Sequence, residues 1–87
     1  MVRVYIPATL RSLCGGSQSL ELQAGTVEEL LRAVEARCPG FYDRVVEDGR
    51  LRPELAFAIN GEVVPLALHE PLPAGAELTI VPALGGG

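Results

Sequence analysis

At 87 residues, 48% of them hydrophobic and with a net charge of −4, the chain has the size of one domain with a small core. This composition excludes intrinsic disorder, the acidic balance disfavours contact with a nucleic-acid backbone, and no apolar run reaches the roughly 20 residues a membrane-spanning helix needs. All seven basic residues are arginines, so the chain has no lysine side chain through which copies could join by isopeptide bonds.

Val2-Arg3-Val4-Tyr5-Ile6 alternates with period two and reads as a half-buried strand with Val2, Val4 and Ile6 inward. Arg3, Pro7 and Arg11 interrupt what would be the apolar region of a signal peptide, so the chain is read as cytoplasmic. Pro7 ends the strand, Gly15-Gly16 supplies a turn, and Ser19-Leu20-Glu21-Leu22-Gln23 alternates again, which predicts a hairpin with a long connection.

Thr26-Val27-Glu28-Glu29 is a capping box: the Thr26 hydroxyl can accept from the third helical amide, and Glu29 can reach back to the Thr26 amide. Val27, Leu30, Leu31, Val34 and Cys38 then form one apolar stripe, predicting an amphipathic helix that ends before Pro39-Gly40. From Phe41 to Pro53 the pattern weakens to a packed loop, with one short helical turn at Phe41, Val45 and Val46 and a turn at Asp48-Gly49. Leu55–Ile59 is a strand, Asn60-Gly61 a hairpin turn, Val63-Val64 a short return strand, and Glu77–Val81 a final strand closed by Pro82. One amphipathic helix among these strands predicts an α+β domain, a mixed sheet of four to five strands packed on the helix, in the manner of the β-grasp.

The chain ends in Ala83-Leu84-Gly85-Gly86-Gly87. Glycines cannot join a core and lose the most entropy on ordering, so a mobile tail is expected at 83–87 after a domain at 1–82. With no side chains to block it, such a tail could be threaded into a narrow channel of another protein.

Element order, size and tail together resemble the ubiquitin-like sulfur carriers of the MoaD/ThiS family, over essentially the whole chain. The CysO-like branch is closest in look, through Ile6-Pro7-Ala8-Thr9-Leu10-Arg11 before Gly15-Gly16, then Asn60-Gly61-Glu62, then Thr79-Ile80-Val81-Pro82-Ala83 leading into the glycines. The resemblance implies that an ATP-dependent adenylating enzyme of the ubiquitin-activator type activates the Gly87 carboxylate, which is then converted to a thiocarboxylate. It implies a sulfur-accepting synthase as a second partner and a metallopeptidase as a third. ATP is used by the activating partner, and no cofactor or metal is expected on the chain itself. Pro82, Ala83, Leu84, Gly85 and Gly86 would form the threaded tail. The family usually ends on two glycines, so Gly86 and Gly87 match that pair and Gly85 lengthens the reach by one residue.

No self-contained catalytic site is visible in the sequence. His69 reads as a solvated loop residue, Gly15-Gly16 as turn chemistry, and Glu28, Glu29 and Glu35 as the wet face of the helix. Cys14 and Cys38 match neither a CxxC pair nor a metal-ligand spacing; Cys14 reads as a loop thiol, Cys38 as a core cysteine, and no disulfide is expected in a cytoplasmic chain. The sheet face away from the helix should carry Tyr5, Ala56, Ala58, Thr79 and Val81, with Tyr5 and Val81 as candidates for a docking patch beside Pro82 and Leu84. Three further readings stay open: the small subunit of molybdopterin synthase, a protein modifier joined through Gly87 to a target lysine, and a pure interaction module.

Overall fold

The computed structural model describes residues 1–82. The expected tail, with Ala83, Leu84, Gly85, Gly86 and Gly87, lies outside the described residues. Alternation at the start produces β1 (Val2–Tyr5), which pairs antiparallel with β2 (Ser19–Leu22). A 3-10 helix, Ala8–Cys14, connects them and ends on Gly15 at φ 65°, a left-handed conformation that suits glycine.

The capping box forms half as expected. Thr26 Oγ1 accepts from the Glu29 amide at 3.1 Å, but the Glu29 carboxylate accepts from Gly25 N at 2.7 Å, one residue before the Thr26 amide. The entry to the helix is held by an isolated bridge between Thr26 and Pro71, in which Val27 N donates to the Glu70 carbonyl at 3.0 Å and Leu72 N to the Gly25 carbonyl at 2.9 Å. Helix α1 (Val27–Arg37) buries Val27, Leu30, Leu31 and Val34, and Cys38 continues the stripe at its C-terminal cap.

Residues 41–51 are more ordered than the packed loop expected. Phe41–Val45 is a short helix, α2, followed by a small hairpin of β3 (Val46–Glu47) and β4 (Arg50–Leu51). Asp48 and Gly49 both have positive φ, the geometry of a two-residue hairpin turn, so the turn was readable while two-residue strands are too short to show a period. Phe41 and Val45 are fully buried and fill the end of the core beneath α1.

Asn60 and Gly61, also both at positive φ, join β5 (Leu55–Ile59) to β6 (Glu62–Val63), one residue earlier than the expected Val63-Val64. The last strand, β7 (Glu77–Pro82), runs antiparallel to β5 and parallel to β1. The sheet order is therefore β2-β1-β7-β5-β6, a five-stranded mixed sheet packed on α1: the ubiquitin-like β-grasp.

Cys14 and Cys38 form a disulfide, with their Cα atoms 4.6 Å apart, which overturns the expectation of two separate thiols. Spacing rules address local motifs, whereas this contact is tertiary. The 3-10 helix folds back so that Cys14 meets the C-terminal cap of α1, and Leu13 lies against Gly40, where an added Cβ would come within 3.8 Å of Leu13 Cδ2.

Phe41→Ala should lower unfolding free energy by about 3–5 kcal/mol, because it leaves a cavity under α1, and Thr26→Ala by about 1 kcal/mol through the lost cap. Urea titration of the two variants measures both; a loss for Phe41→Ala no larger than for Thr26→Ala would contradict this assignment of the core.

Candidate functional site

Strand pairing alone dictates what the outer sheet face carries. Tyr5 stands opposite Thr79, Thr79 opposite Ala58, and Ala58 opposite Val63, so four strands contribute one row; Val81 and Ala56 pair in the next row. Inner-face neighbours Val4, Leu78, Ile80 and Phe57 are buried against α1. The outer row is uncovered: Val63 is 70% and Val81 41% exposed, while Tyr5, Ala56, Ala58 and Thr79 are half-buried. The face expected from the sequence is thus assembled, and Val63 from β6 joins it. Val63 was missed because its side depends on the register Ala58↔Val63, which the turn at Asn60-Gly61 fixes.

The ends of this face differ in polarity. Towards the start of β1, Arg3 bonds Glu21 across the hairpin at 3.2 Å, an exposed pair that closes that end with charge. Towards the end of β7 the face stays apolar up to Val81, next to Pro82, which pairs with Leu55. Beside this exit lies a shallow cleft of about 300 Å³ lined by Thr9, Leu10, Arg44, Arg52, Glu54 and Leu55. Arg52 fixes its floor: Nε and Nη2 donate to the Asp43 carbonyl at 3.1 and 2.7 Å, and Nη1 lies 3.6 Å from both Glu47 and Glu54.

The carboxylates of α1 organise the opposite side. Tyr42 Oη donates to Glu28 at 2.6 Å, Arg32 Nε donates to the other Glu28 oxygen at 2.9 Å, and the Arg32 guanidinium lies 4.0 Å over the Tyr42 ring. Glu35 accepts from the amides of Gly40 and Tyr42 at 3.1 and 2.8 Å, which satisfies the start of α2. Sequence periodicity placed these glutamates on the wet face correctly but could not show that two of them hold α2. The bond from Tyr42, and then that from Arg32, keeps the Glu28 carboxyl below its usual 4.5. Glu35 is likewise held low by the amides of Tyr42 and Gly40. Burial, and then the bond to Glu28, pushes the Tyr42 hydroxyl above 10.0.

His69 is exposed in the loop before β7. Among the described residues no polar or charged side chain is buried, and no group of three or more His, Cys, Asp or Glu could hold a metal ion. No helix among the described residues is long and apolar enough to cross a membrane. What the site offers is a surface: an apolar sheet face that leads to the point where the last strand leaves the sheet.

A model described as the ThiS family matches residues 4–87. The chain belongs to the ThiS family. Among solved structures it is similar to a chain in the crystal structure of the Amycolatopsis orientalis BexX/CysO complex, at 36% identity and TM-score 0.89, covering 100% of both chains. It is also similar to Mycobacterium tuberculosis CysO, described there as an antigen, at 28% identity and TM-score 0.84, over 97% of this chain and 100% of that one. SAMP1 from Haloferax volcanii matches at 30% identity and TM-score 0.77, over 99% and 98%. No curated protein sequence matches. These relatives place the chain in a group of sulfur carriers and ubiquitin-like modifiers.

The low-lying Glu28 and Glu35 contribute stability that is complete above 4.5 and fades as pH falls through their folded-state values. Tyr42 works in the opposite sense: its neutral form is favoured, so its contribution holds below 10.0 and is lost as pH rises beyond it. Melting temperature should therefore drop on acidification below about pH 4, with a shallower acid slope in Glu35→Gln than in the parent chain. An unchanged slope would show that Glu35 does not hold α2.

Proposed function

We propose that the chain is a sulfur carrier, not an enzyme: a β-grasp domain at 1–82 that presents Gly87, through a tail at 83–87, to an ATP-dependent adenylating partner. The observation that carries the reading is the family match through residue 87, together with full-length similarity to a chain of the BexX/CysO complex. The surface described above suits this role, because the chemistry is left to partners and the domain supplies a grip.

In this reading the Gly87 carboxylate attacks the α-phosphorus of ATP and pyrophosphate leaves. A carboxylate is a poor electrophile, but the resulting acyl-adenylate has AMP as a good leaving group. Sulfide displaces AMP and leaves a terminal thiocarboxylate directly; a persulfide sulfur instead gives an acyl disulfide, from which a further thiol frees the thiocarboxylate as a new disulfide forms on the donor. The glycines Gly85, Gly86 and Gly87 offer no side chain to obstruct passage through a narrow channel, and Pro82, Ala83 and Leu84 link them to the sheet. Tyr5 and Val81 form the docking patch for the activating enzyme, and a sulfur-accepting synthase receives the sulfur. On the likeness to the CysO-like branch, the acceptor would be an activated serine, giving a cysteinyl adduct on the carrier that a metallopeptidase then trims.

The similarity to SAMP1 favours a second reading, a modifier joined through Gly87 to a lysine of a target protein. Since the chain has no lysine of its own, such a modifier would be attached singly or through its N-terminus, never as a lysine-linked chain. Adducts on cellular proteins that survive reductant would support this second reading.

The carrier reading is tested by ATP–pyrophosphate exchange with an adenylating enzyme of the family. Exchange should depend on the chain and vanish when Gly86 and Gly87 are both deleted, which leaves no two-glycine terminus. Val81→Asp should retain a native circular dichroism spectrum yet raise the concentration needed for half-maximal exchange by roughly tenfold or more, as expected for a charge buried at an interface. Exchange unaffected by deletion of Gly86 and Gly87 would refute the carrier reading; exchange unaffected by Val81→Asp would refute the docking patch.

A further inference from the structure

We propose that Cys14 Sγ is a thiol–disulfide exchange site whose opening by a low-molecular-weight thiol releases the 3-10 helix flanking the point where β7 leaves the sheet. The bond is asymmetric in access. Cys38 is 1% exposed in the core at the cap of α1, whereas Cys14 is half-buried at the end of the 3-10 helix, followed by exposed Gly15 and Gly16. A nucleophile can therefore approach Cys14, with Cys38 as the leaving group.

The 3-10 helix is anchored mainly at its start, where Pro7 and Leu10 are buried and Arg11 Nε donates to the Ile6 carbonyl at 3.0 Å; towards Cys14, Leu13 adds part-buried packing against the core. Helix α1 is held by four buried side chains of its own, and the Cys38 backbone stays tied by Cys38 N to Val34 O and Phe41 N to Cys38 O. Loss of the bond thus frees the Cys14 end before the Cys38 end.

Position gives this release a consequence. Strand β1 runs parallel to β7 up to Tyr5 opposite Thr79, and the chain enters the 3-10 helix at Ala8, three residues beyond that last pair. Thr9 and Leu10 share a cleft with Leu55, which pairs with Pro82. A partner gripping the end of β7 meets this helix, and a loosened helix must be re-ordered on docking. That consequence rests on the carrier reading; the exchange chemistry does not. The sulfides and persulfides a sulfur carrier encounters are themselves of the class that attacks exposed disulfides.

The exchange balances with two equivalents of thiol. The first thiolate attacks Cys14 Sγ, forming a mixed disulfide as the Cys14–Cys38 bond breaks; the electron pair goes to Cys38 Sγ, which takes a proton. A second thiolate attacks the sulfur of the first, releasing Cys14 as a thiolate that is protonated. Two thiols are oxidised to one small disulfide, and the protein bond is reduced to two thiols.

The test compares the oxidised full chain, the chain treated with glutathione, and the Cys14→Ser/Cys38→Ser double variant. Acid-quenched peptide mapping should find the glutathione adduct on Cys14, and amides of residues 10–16 should exchange with deuterium at least about tenfold faster in the reduced and double-variant chains while Val4, Phe57 and Leu78 stay protected. An adduct on Cys38, a bond untouched by glutathione, unchanged exchange at 10–16, or loss of protection across the sheet would each overturn the proposal. With an adenylating enzyme and ATP, and no sulfide or other thiol present to open the bond, the double variant should support ATP–pyrophosphate exchange roughly threefold to tenfold more slowly than the oxidised chain, the cost of re-ordering one interface side chain. Equal non-zero rates would overturn the regulatory consequence. Absence of pyrophosphate exchange with both forms would count against the carrier reading and leave the disulfide proposal to be decided by adduct position and deuterium uptake.

Discussion

The structure depends on β7 being held on both sides at once, parallel to β1 through Arg3, Val4 and Tyr5, and antiparallel to β5 along Leu55–Ile59. Its inner side chains Leu78 and Ile80 are buried against α1, and its outer ones, Thr79 and Val81, lie in the open row of the sheet. Over Glu77–Thr79 the strand is pinned by two ladders, and fraying there must break hydrogen bonds on both edges. Ile80–Pro82 run on beside β5 alone, so the end of β7 has one strand edge uncovered by β1.

Around that strand the domain divides its labour by face. The inner face and α1 enclose an apolar core: among the described residues no polar side chain is buried, and no group of three or more His, Cys, Asp or Glu could hold a metal ion. The outer face keeps Tyr5, Thr79, Val81, Ala56, Ala58 and Val63 together through register alone. Membership of the ThiS family gives this division a meaning, since a carrier needs a stable holder and a surface to be gripped. The corner made by the 3-10 helix, Cys38 and α2 then connects the core to the rim around the end of β7.

Most of the fold was legible because its long elements have clear periods. Val2, Val4 and Ile6, the α1 stripe, and the turn at Asn60-Gly61 each carry a local signal that agrees with the tertiary result. What escaped had no local signal. The strands Val46–Glu47 and Arg50–Leu51 are two residues each, too short for alternation to register. The Cys14–Cys38 bond joins residues brought together by the fold, so neither spacing nor neighbouring residues could reveal it. Glu35 looked like any helix-surface glutamate, yet its partners, Gly40 and Tyr42, lie across the chain reversal at Pro39-Gly40. In the candidate site, Tyr5 and Val81 were found from alternation, whereas Val63 required the hairpin register.

The central claim is that the C-terminal glycine carries sulfur. Its most direct measurement is the intact mass of the chain after incubation with ATP, an active adenylating enzyme of the family and sulfide. The account predicts a gain equal to the replacement of one oxygen by sulfur, located at Gly87 by fragmentation and absent when Gly86 and Gly87 are deleted. An unchanged mass, with an enzyme shown to be active on its own carrier and able to bind this chain, would contradict it.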